Sequence, residues 1–258
     1  MKANYHTHTA RCMHASGRDD DYVRAAIEGG FDVLGFADHT PWPYRTDFVS
    51  GMRMTVRELD GYVRSVRALR AAYVGQIDVL LGLECEYFPD YIPWLRDTMQ
   101  AKGVDYAILG SHYDLSDETG IYFGYPRDAG DVRRYVKRTV AGMETGLFAY
   151  LAHPDLFMLG YGAFDRTCAA AARALCEAAN ALRLPLEYNL AGLRAQRRRG
   201  IEGYPHERFW EIAAAMGCRA IIGVDAHAPK RLTETDLWQE AVDALCALGM
   251  ERVERLEL

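Results

Sequence analysis

The chain has 258 residues, half of them hydrophobic, and carries a net charge of −6 at pH 7. A length of this order fits one large domain, so residues 1–258 are expected to form a single α/β unit. The acidic balance disfavours a nucleic-acid partner, because surfaces that bind DNA or RNA are normally basic. Composition carries no signal about the oligomeric state.

The cysteines and the apolar runs bear on cellular location. The chain has six cysteines, namely Cys12, Cys85, Cys168, Cys176, Cys218 and Cys246. They form no CxxC pair and no regular disulfide framework, which indicates free thiols in a reducing compartment. The first predicted strand begins at Ala3 and leaves no room for a signal peptide, and no apolar run is long enough to span a bilayer. These features predict a cytoplasmic protein without a membrane partner.

Short apolar runs alternate with longer amphipathic stretches along the chain. The predicted strands cover 3–8, 32–37, 77–84, 105–111, 148–152, 184–189 and 219–224. The helical patterns cover 20–28, 56–73, 89–102, 131–142, 167–181, 207–216 and 233–248. This alternation indicates a parallel sheet with helical crossovers. Seven units favour a distorted (β/α)7 barrel of the TIM-like kind.

Histidines and carboxylates stand at the ends of the predicted strands or just after them. The residues so placed are His6, His8, Asp38, His39, Glu84, His112, His153, Asn189, Asp225 and His227. A parallel barrel gathers the carboxyl ends of all its strands at one mouth. An open doubly wound sheet collects ligands at one or two switch points instead. The distribution therefore favours the barrel and predicts one shared site at its mouth.

Two histidines two residues apart open this pattern. In a strand, His6 and His8 project to the same face, where two imidazoles make half of a site for a divalent transition metal. His14 follows six residues later. The strand-end groups together hold more nitrogen and carboxylate ligands than one ion can use. This surplus predicts a multinuclear metal site and hydrolytic chemistry.

Several longer segments carry a family resemblance. They are RCMHASG at 11–17, FADHTP at 36–41, GLECEY at 82–87 and EYNLAGLR at 187–194. With His-Thr-His at 6–8 and Asp-Ala-His at 225–227, they make the chain resemble the PHP (polymerase and histidinol phosphatase) superfamily, in particular its histidinol-phosphatase branch. The resemblance implies a metal-dependent phosphomonoesterase. It also implies L-histidinol phosphate as the substrate, hydrolysed in histidine biosynthesis.

The same resemblance implies three divalent metal ions. The implied ligands are His6, His8, Glu84 and Asp225 for the first ion, the bridging Glu84 with His112 and His153 for the second, and His14, His39 and His227 for the third. Each of these positions holds a residue type that can bind a metal. Mixed imidazole and carboxylate ligands suit zinc, manganese or iron, so the sequence leaves the metal open.

Two carboxylates and an arginine are the expected catalytic residues. Glu84 would bridge two ions that share a hydroxide, which would attack phosphorus in line with the ester oxygen. Asp225, Asp38 and a metal-bound water are the candidates for protonating the leaving alkoxide. Arg194, expected in a loop of the mouth, would clamp the phosphate through its planar fork. The weaker candidates for substrate binding are Arg197 and Arg53.

Some polar residues near these ligands admit two interpretations. Glu187 and Asn189 share a strand face, and they either recognise an amine or imidazole of the substrate or form a structural layer of the barrel. Asp155 either orients a ligand imidazole or caps a helix. His206 is interpreted as a surface residue at a helix start. Cys12, beside the site, is interpreted as a spectator.

Rival functions remain open. A PHP phosphoesterase could act on another small phosphate monoester, a diester or a nucleotide, and the loops 40–53 and 116–131 over the mouth would decide this. A nucleic-acid exonuclease or proofreading module would need a basic, aromatic groove. A regulatory domain without catalysis is expected to have lost metal ligands, and none of the implied ligands is missing.

Overall fold

The computed structural model describes residues 1–200 and 202–258. Its strands are β1 (Ala3–Asn4), β2 (Val33–His39), β3 (Asp78–Cys85), β4 (Tyr106–Leu109), β5 (Leu186–Asn189) and β6 (Ala220–Gly223). Its α-helices are α1 (Asp19–Glu28), α2 (Leu59–Ala72), α3 (Ile92–Lys102), α4 (Ala129–Met143), α5 (Arg166–Leu182), α6 (Leu190–Arg199), α7 (Glu207–Ala215) and α8 (Thr235–Ala247).

The strands are parallel and their hydrogen-bonded neighbours form a closed ring. The first four strands pair in the order β1-β2-β3-β4, and β5 pairs with β6. Leu151 joins the two groups, because it bridges to Leu109 on one side and to Leu186 on the other. A bridge between Thr7 and Ala226 connects the last segment to the first. Seven segments thus surround one axis, and the predicted α/β barrel is confirmed.

Among the predicted strands that are shorter in the structure, 3–8 and 148–152 lose the most. β1 stops at Asn4 because the Asn4 side chain forms hydrogen bonds with the backbone of His6. Its Oδ1 accepts from the His6 N–H at 3.3 Å, and its Nδ2 donates to the His6 carbonyl at 3.2 Å. The predicted strand 148–152 keeps only the bridges of Leu151. Its neighbour Pro185 accepts from the Leu151 N–H at 3.1 Å but has no N–H to donate.

Tyrosine side chains fill the interior of the barrel. Tyr5, Tyr106 and Tyr150 are each buried in one apolar cluster inside the ring. The Tyr106 hydroxyl donates to the Tyr5 carbonyl at 2.7 Å. Its phenol group occupies the space that side chains at Gly35 and Gly82 would need, since a Cβ there would lie 2.2 and 2.3 Å from Tyr106 atoms. With the interior full, the room that the barrel offers for a site lies at its mouth.

Helix α6 was not predicted from the sequence. It follows β5 without a loop, because Asn189 ends the strand and its side-chain oxygen accepts from the Gly192 N–H at 2.9 Å. Such a contact is a typical start for a helix. Arg194 therefore lies on a helix and not in the predicted loop. The other helical patterns all correspond to helices of the structure, with ends shifted by up to three residues.

The helices cover the outside of the barrel. α4 and α5 begin after Asp128 and Asp165, whose carboxylates accept N–H groups of the first helical turn. No helix in the described ranges is long and apolar enough to cross a membrane. The six cysteines are free thiols, and all except Cys246 are buried.

Candidate metal centre

Glu84 is the centre of a buried cluster at the barrel mouth. It lies near the end of β3 and is only 1% exposed. Its Oε1 lies 2.9 Å from His153 Nε2, 3.4 Å from His112 Nε2 and 3.5 Å from His6 Nε2. Its Oε2 lies 3.0 Å from His39 Nδ1 and 3.5 Å from His8 Nε2. One carboxylate thus contacts five imidazoles that come from four different segments of the ring.

Asp225 closes this cluster from the other side. Its Oδ1 lies 3.3 Å from His8 Nε2 and 3.6 Å from His6 Nε2. Asp225 and His153 both have left-handed backbone conformations, with φ of 50° and 30°. Such conformations cost about 1–3 kcal/mol and are concentrated at functional sites. We call the group of His6, His8, Glu84, His112, His153 and Asp225 the inner cluster.

His14, His39 and His227 form a second group, the outer cluster. The Nε2 atoms of His14 and His227 face each other at 3.0 Å, and the two rings are stacked. Donor atoms of all three side chains lie within 4.8 Å of one another. Two facing imidazole nitrogens must share either a proton or a cation. Three convergent nitrogens are also the number that many zinc sites provide.

Several buried atoms of these clusters have no hydrogen-bond partner within the described part of the chain. They are His6 Nε2, His8 Nδ1, His39 Nδ1, His153 Nδ1, Glu84 Oε2 and Asp225 Oδ1. Proteins rarely leave buried polar atoms unpaired, and an ion is a common explanation where they do. Imidazole nitrogens and carboxylate oxygens are ligands for divalent transition metals. The donor set therefore fits a metal centre.

Burial and neighbouring charges shift the pKa values of these groups in opposite directions. Burial lowers the pKa of His39 to about 3, so its imidazole is neutral, as a metal ligand must be. Burial would raise the pKa of Glu84, but His112 and His6 outweigh it and hold that pKa well below its usual range. The pKa of Asp225 is lowered in the same way, mainly by His6. Both carboxylates are therefore ionised.

Buried carboxylates lie behind three imidazoles of the inner cluster. The contacts join Glu187 Oε1 to His6 Nδ1 at 2.8 Å, Glu86 Oε1 to His112 Nδ1 at 3.1 Å, and Asp38 Oδ1 to His8 Nδ1 at 3.5 Å. Partners of this kind fix the ring orientation and strengthen the nitrogen that faces the metal. The sequence offered one sign that Glu86 would lie near the ligands: it stands two residues after Glu84, and residues two apart in a strand share a face.

A cavity of about 250 Å³ opens onto both clusters. Besides candidate ligands, its wall contains Met52, Tyr122, Leu156, Ala191 and Tyr204. Each of the two long loops contributes one of these side chains, as expected for loops over the mouth. No sequence motif pointed to Tyr204, which follows α6 and reaches the cavity through the tertiary fold.

Asp117 holds the two loops together. It accepts hydrogen bonds from the hydroxyls of Tyr44 and Ser50, and from Arg53 Nε at 3.1 Å. Arg53 also donates to both oxygens of Glu86, at 3.0 and 2.9 Å. Its side chain is 1% exposed and lies outside the cavity wall. The structure therefore does not bring the predicted substrate residue Arg53 to the cavity, because its guanidinium is taken up by buried carboxylates.

The two other predicted substrate arginines lie on α6. Arg194 donates from Nε to Glu234 at 2.6 Å, and its buried Nη2 has no partner within the described residues. Ala191, in the cavity wall, lies one helical turn before Arg194 on the same face. Arg197 is half exposed and pairs with Glu240. Neither arginine lines the cavity, but Arg194 has a buried donor without a partner among the described residues.

Other residues named in the sequence analysis take different places in the structure. Asp38 is fully buried, and its oxygens accept from Thr9 and from the His39 N–H, which leaves it no free site for proton transfer. Asp155 neither touches a ligand imidazole nor caps a helix with its side chain; it accepts from the His206 N–H at 2.6 Å. His206 does begin α7, but it is buried, not on the surface.

Cys12 lies against the clusters. Its thiol and one nitrogen each of His8 and His227 lie within 4.8 Å of one another. Burial would raise the pKa of the thiol, but hydrogen bonds with His14 and His8 outweigh it and lower the pKa to about 7. The thiol is thus a polar neighbour of the candidate ligands, beside the site as the sequence analysis expected.

A parallel barrel with imidazoles and carboxylates gathered at its carboxyl mouth defines a metal-binding α/β-barrel protein. The profile of the PHP domain matches residues 4–191. A Deinococcus radiodurans protein named a probable histidinol-phosphatase is 32% identical over 231 residues, which cover 87% of this chain and 85% of the relative. The histidinol-phosphatase of Bacillus subtilis is 28% identical over 132 residues, 48% of this chain and 49% of the relative.

A solved structure shares the fold. The crystal structure of histidinol phosphate phosphatase from Lactococcus lactis, complexed with zinc, L-histidinol and phosphate, aligns with a TM-score of 0.77. The alignment covers 100% of this chain and 99% of that one at 17% sequence identity. The chain belongs to the PHP domain family, and the resemblance noted from its motifs is confirmed.

Proposed function

We propose that the protein is a metal-dependent phosphomonoesterase that hydrolyses L-histidinol phosphate to L-histidinol and phosphate in histidine biosynthesis. The observation that carries the reaction class is the contact of Glu84 with five imidazoles beneath an open cavity. The substrate is supported by the names of the relatives from Deinococcus radiodurans and Bacillus subtilis.

The proposed metal ligands are those implied by the family resemblance. We place His6, His8, Glu84 and Asp225 around one ion, Glu84 with His112 and His153 around a second, and His14, His39 and His227 around a third. The Lactococcus lactis structure contains zinc, and the donor atoms here suit zinc, manganese or iron. When bound, such ions stabilise negative charge on phosphate oxygens and lower the pKa of water.

Asp225 is the proposed carrier of the proton. Hydrolysis breaks the bond between phosphorus and the ester oxygen and forms one between phosphorus and a water oxygen. Water loses a proton and the leaving alkoxide gains one. Asp225 lines the cavity and its Oδ1 has no hydrogen-bond partner among the described residues, whereas Asp38 is enclosed and outside the wall. Proton transfer at a reacting oxygen requires this access.

Arg194 is the proposed phosphate clamp. Its buried Nη2 has no hydrogen-bond partner among the described residues, its helix contributes Ala191 to the cavity wall, and Glu234 holds its Nε in place. A guanidinium fixed in this way loses little freedom on contacting a phosphate oxygen. We assign Arg197 no direct contact, since its exposed guanidinium already has a carboxylate partner.

We also propose a single domain over residues 1–258 and a cytoplasmic location. The bridge between Thr7 and Ala226 supports the first point, because the ring needs both its first and its last segment. Free cysteines agree with a reducing compartment. The proposed partner is a small phosphorylated substrate, with neither nucleic acid nor membrane.

Phosphate release tests this proposal. The purified protein is loaded with zinc or manganese and assayed with L-histidinol phosphate, para-nitrophenyl phosphate, a nucleotide, a cyclic diester and single-stranded DNA. We expect kcat/KM for L-histidinol phosphate of about 10⁴ M⁻¹s⁻¹ or more, well above the panel. The variant Glu84→Gln, purified in parallel, controls for contaminating phosphatase. Uniformly weak, metal-dependent turnover of the whole panel would mean that L-histidinol phosphate is not the substrate. Release of nucleotides from DNA would mean that the protein is a nuclease and not a phosphomonoesterase.

A further inference from the structure

We infer that Glu187 is a positioning residue that sets the orientation of ligands of two different ions. It is fully buried on β5. The sequence allowed two interpretations of Glu187, as a substrate-recognition residue or as part of a structural layer of the barrel. In the structure, Glu187 is absent from the cavity wall. The inference rests on the proposed metal ligands His6 and His153, but not on the identity of the substrate.

Each oxygen of Glu187 has its own partner among the candidate ligands. Oε1 lies 2.8 Å from His6 Nδ1, so the opposite nitrogen, Nε2, is left facing Glu84 and Asp225. Oε2 accepts from the backbone N–H of His153 at 3.0 Å. His6 and His153 are proposed ligands of different ions. One buried carboxylate therefore ties the two halves of the inner cluster together.

The contact with His153 fixes an unusual backbone. His153 has a φ of 30°, a left-handed conformation that a residue with a side chain adopts only when its surroundings impose it. The hydrogen bond to Glu187 holds the N–H of this strained residue. The His153 Nε2 then lies 2.9 Å from Glu84 Oε1. Without the acceptor, the backbone can relax and carry the imidazole away from Glu84.

The network extends to the third side of the cluster through Asn189. Its Nδ2 donates to Glu187 Oε2 at 2.8 Å and to Asp225 Oδ2 at 3.2 Å. Asp225 also has a left-handed backbone. Glu187 thus reaches, directly or through one amide, three candidate ligands on three segments of the barrel.

The neighbouring strand leaves room for this carboxylate. A Cβ at Gly223 would lie 1.8 Å from Glu187 Oε1, so any side chain there would displace the oxygen that meets His6. Glu187 also differs from Glu86, which is neutralised by Arg53. Within the described ranges, Glu187 forms a salt bridge only with His6. Its buried charge is therefore directed at the imidazole that would hold a cation.

The test substitutes Glu187→Gln, which keeps the shape of the side chain but leaves one acceptor oxygen instead of two. The matched control is Tyr150→Phe, which removes a hydroxyl that donates to Glu187 at 3.3 Å but contacts neither His6 nor His153. Zinc affinity is measured by competition with a chromophoric chelator, and the visible spectrum of the cobalt-loaded protein reports ligand geometry. Neither readout requires a substrate, so failure of the proposed substrate leaves this test intact.

We expect Glu187→Gln to bind zinc about 10- to 100-fold more weakly, as other partners of metal-bound histidine do when changed. The cobalt spectrum should change, and kcat should fall while KM changes little, because Glu187 does not line the cavity. Tyr150→Phe should keep the wild-type affinity and spectrum. If Glu187→Gln does not fold, Glu187→Asp is measured instead, with an intermediate loss expected. Wild-type zinc affinity in the folded variant, or an equal loss in Tyr150→Phe, overturns the inference.

Discussion

The inner and outer clusters both contain imidazoles but support them differently. His6 and His8 are almost fully buried, and buried carboxylates contact their outer nitrogens. His14 is exposed, and its Nδ1 lies 2.7 Å from the backbone carbonyl of Cys12. His227 is 28% exposed and has a contact to Asp225. The buried His39 lies between the two clusters, within 3.0 Å of Glu84.

Ligand type alone therefore does not determine how firmly a site holds its ion. A carboxylate behind an imidazole fixes the ring and makes the facing nitrogen a better ligand. A backbone carbonyl fixes the ring without adding a charge, and solvent competes for an exposed imidazole. We therefore expect the inner cluster to bind its ions more tightly than the outer cluster binds its own.

The largest effect is expected from Glu84→Gln. The substitution removes the charge that the five neighbouring imidazoles share, so ions bound in the inner cluster would lose their proposed bridging ligand. We expect kcat to fall by at least the roughly 10²- to 10⁴-fold that one positioned catalytic group contributes, with loss of metal measured by elemental analysis. Glu28→Gln, on the exposed end of α1, is the control. Full metal content in Glu84→Gln would contradict the assignment of Glu84 as the shared ligand.

Chelation compares the two clusters directly. The metal-loaded protein is exposed to a chelator, and the metal remaining is measured over time. We expect two phases, a fast loss of about one ion from the exposed outer cluster and a slow loss from the inner cluster, since buried ligands must open before the ion leaves. Loss of all ions in a single phase would mean that the clusters do not differ in this way.

His14→Ala isolates the outer cluster. The variant lacks one of three nitrogens there and leaves every ligand of the inner cluster in place. We expect it to bind one metal ion fewer, with kcat/KM lowered about 10- to 100-fold, the range seen when support of a metal site is weakened. The inner metal content, measured by native mass spectrometry, should not change. A variant that loses all its metal would show the two clusters to be one cooperative unit.

The most limited effect is expected at Arg194, because its substitution leaves both metal clusters intact. A hydrogen bond to a charged group contributes about 1.5–3 kcal/mol, so Arg194→Ala should lower kcat/KM roughly 10- to 100-fold while metal content stays at the wild-type level. Arg198→Ala, on the exposed end of the same helix, is the matched control. Steady-state kinetics of the pair separate a phosphate contact from a general change in charge. Equal kinetics in both variants would remove Arg194 from the proposed site.

The sequence alone predicted the barrel and its mouth because both depend on local patterns. Alternating apolar and amphipathic segments predicted the parallel ring. Because Glu84 and the histidines all stand at predicted strand ends, the sequence also predicted that they would lie close together. The segments that differ from prediction depend on single contacts. Asn4 ends β1 by bonding to the backbone of His6, and Asn189 starts α6 directly after β5.

The sequence predicts the candidate ligands and the end of the sheet where they gather, because strand direction and residue type are local properties. Which carboxylate lies behind which imidazole depends on the tertiary structure. Glu187 meets His6 across 181 positions of the chain, and Arg53 turns to Glu86 and away from the cavity. Such pairings depend on how segments distant in sequence pack side by side, and no periodicity within one segment encodes them.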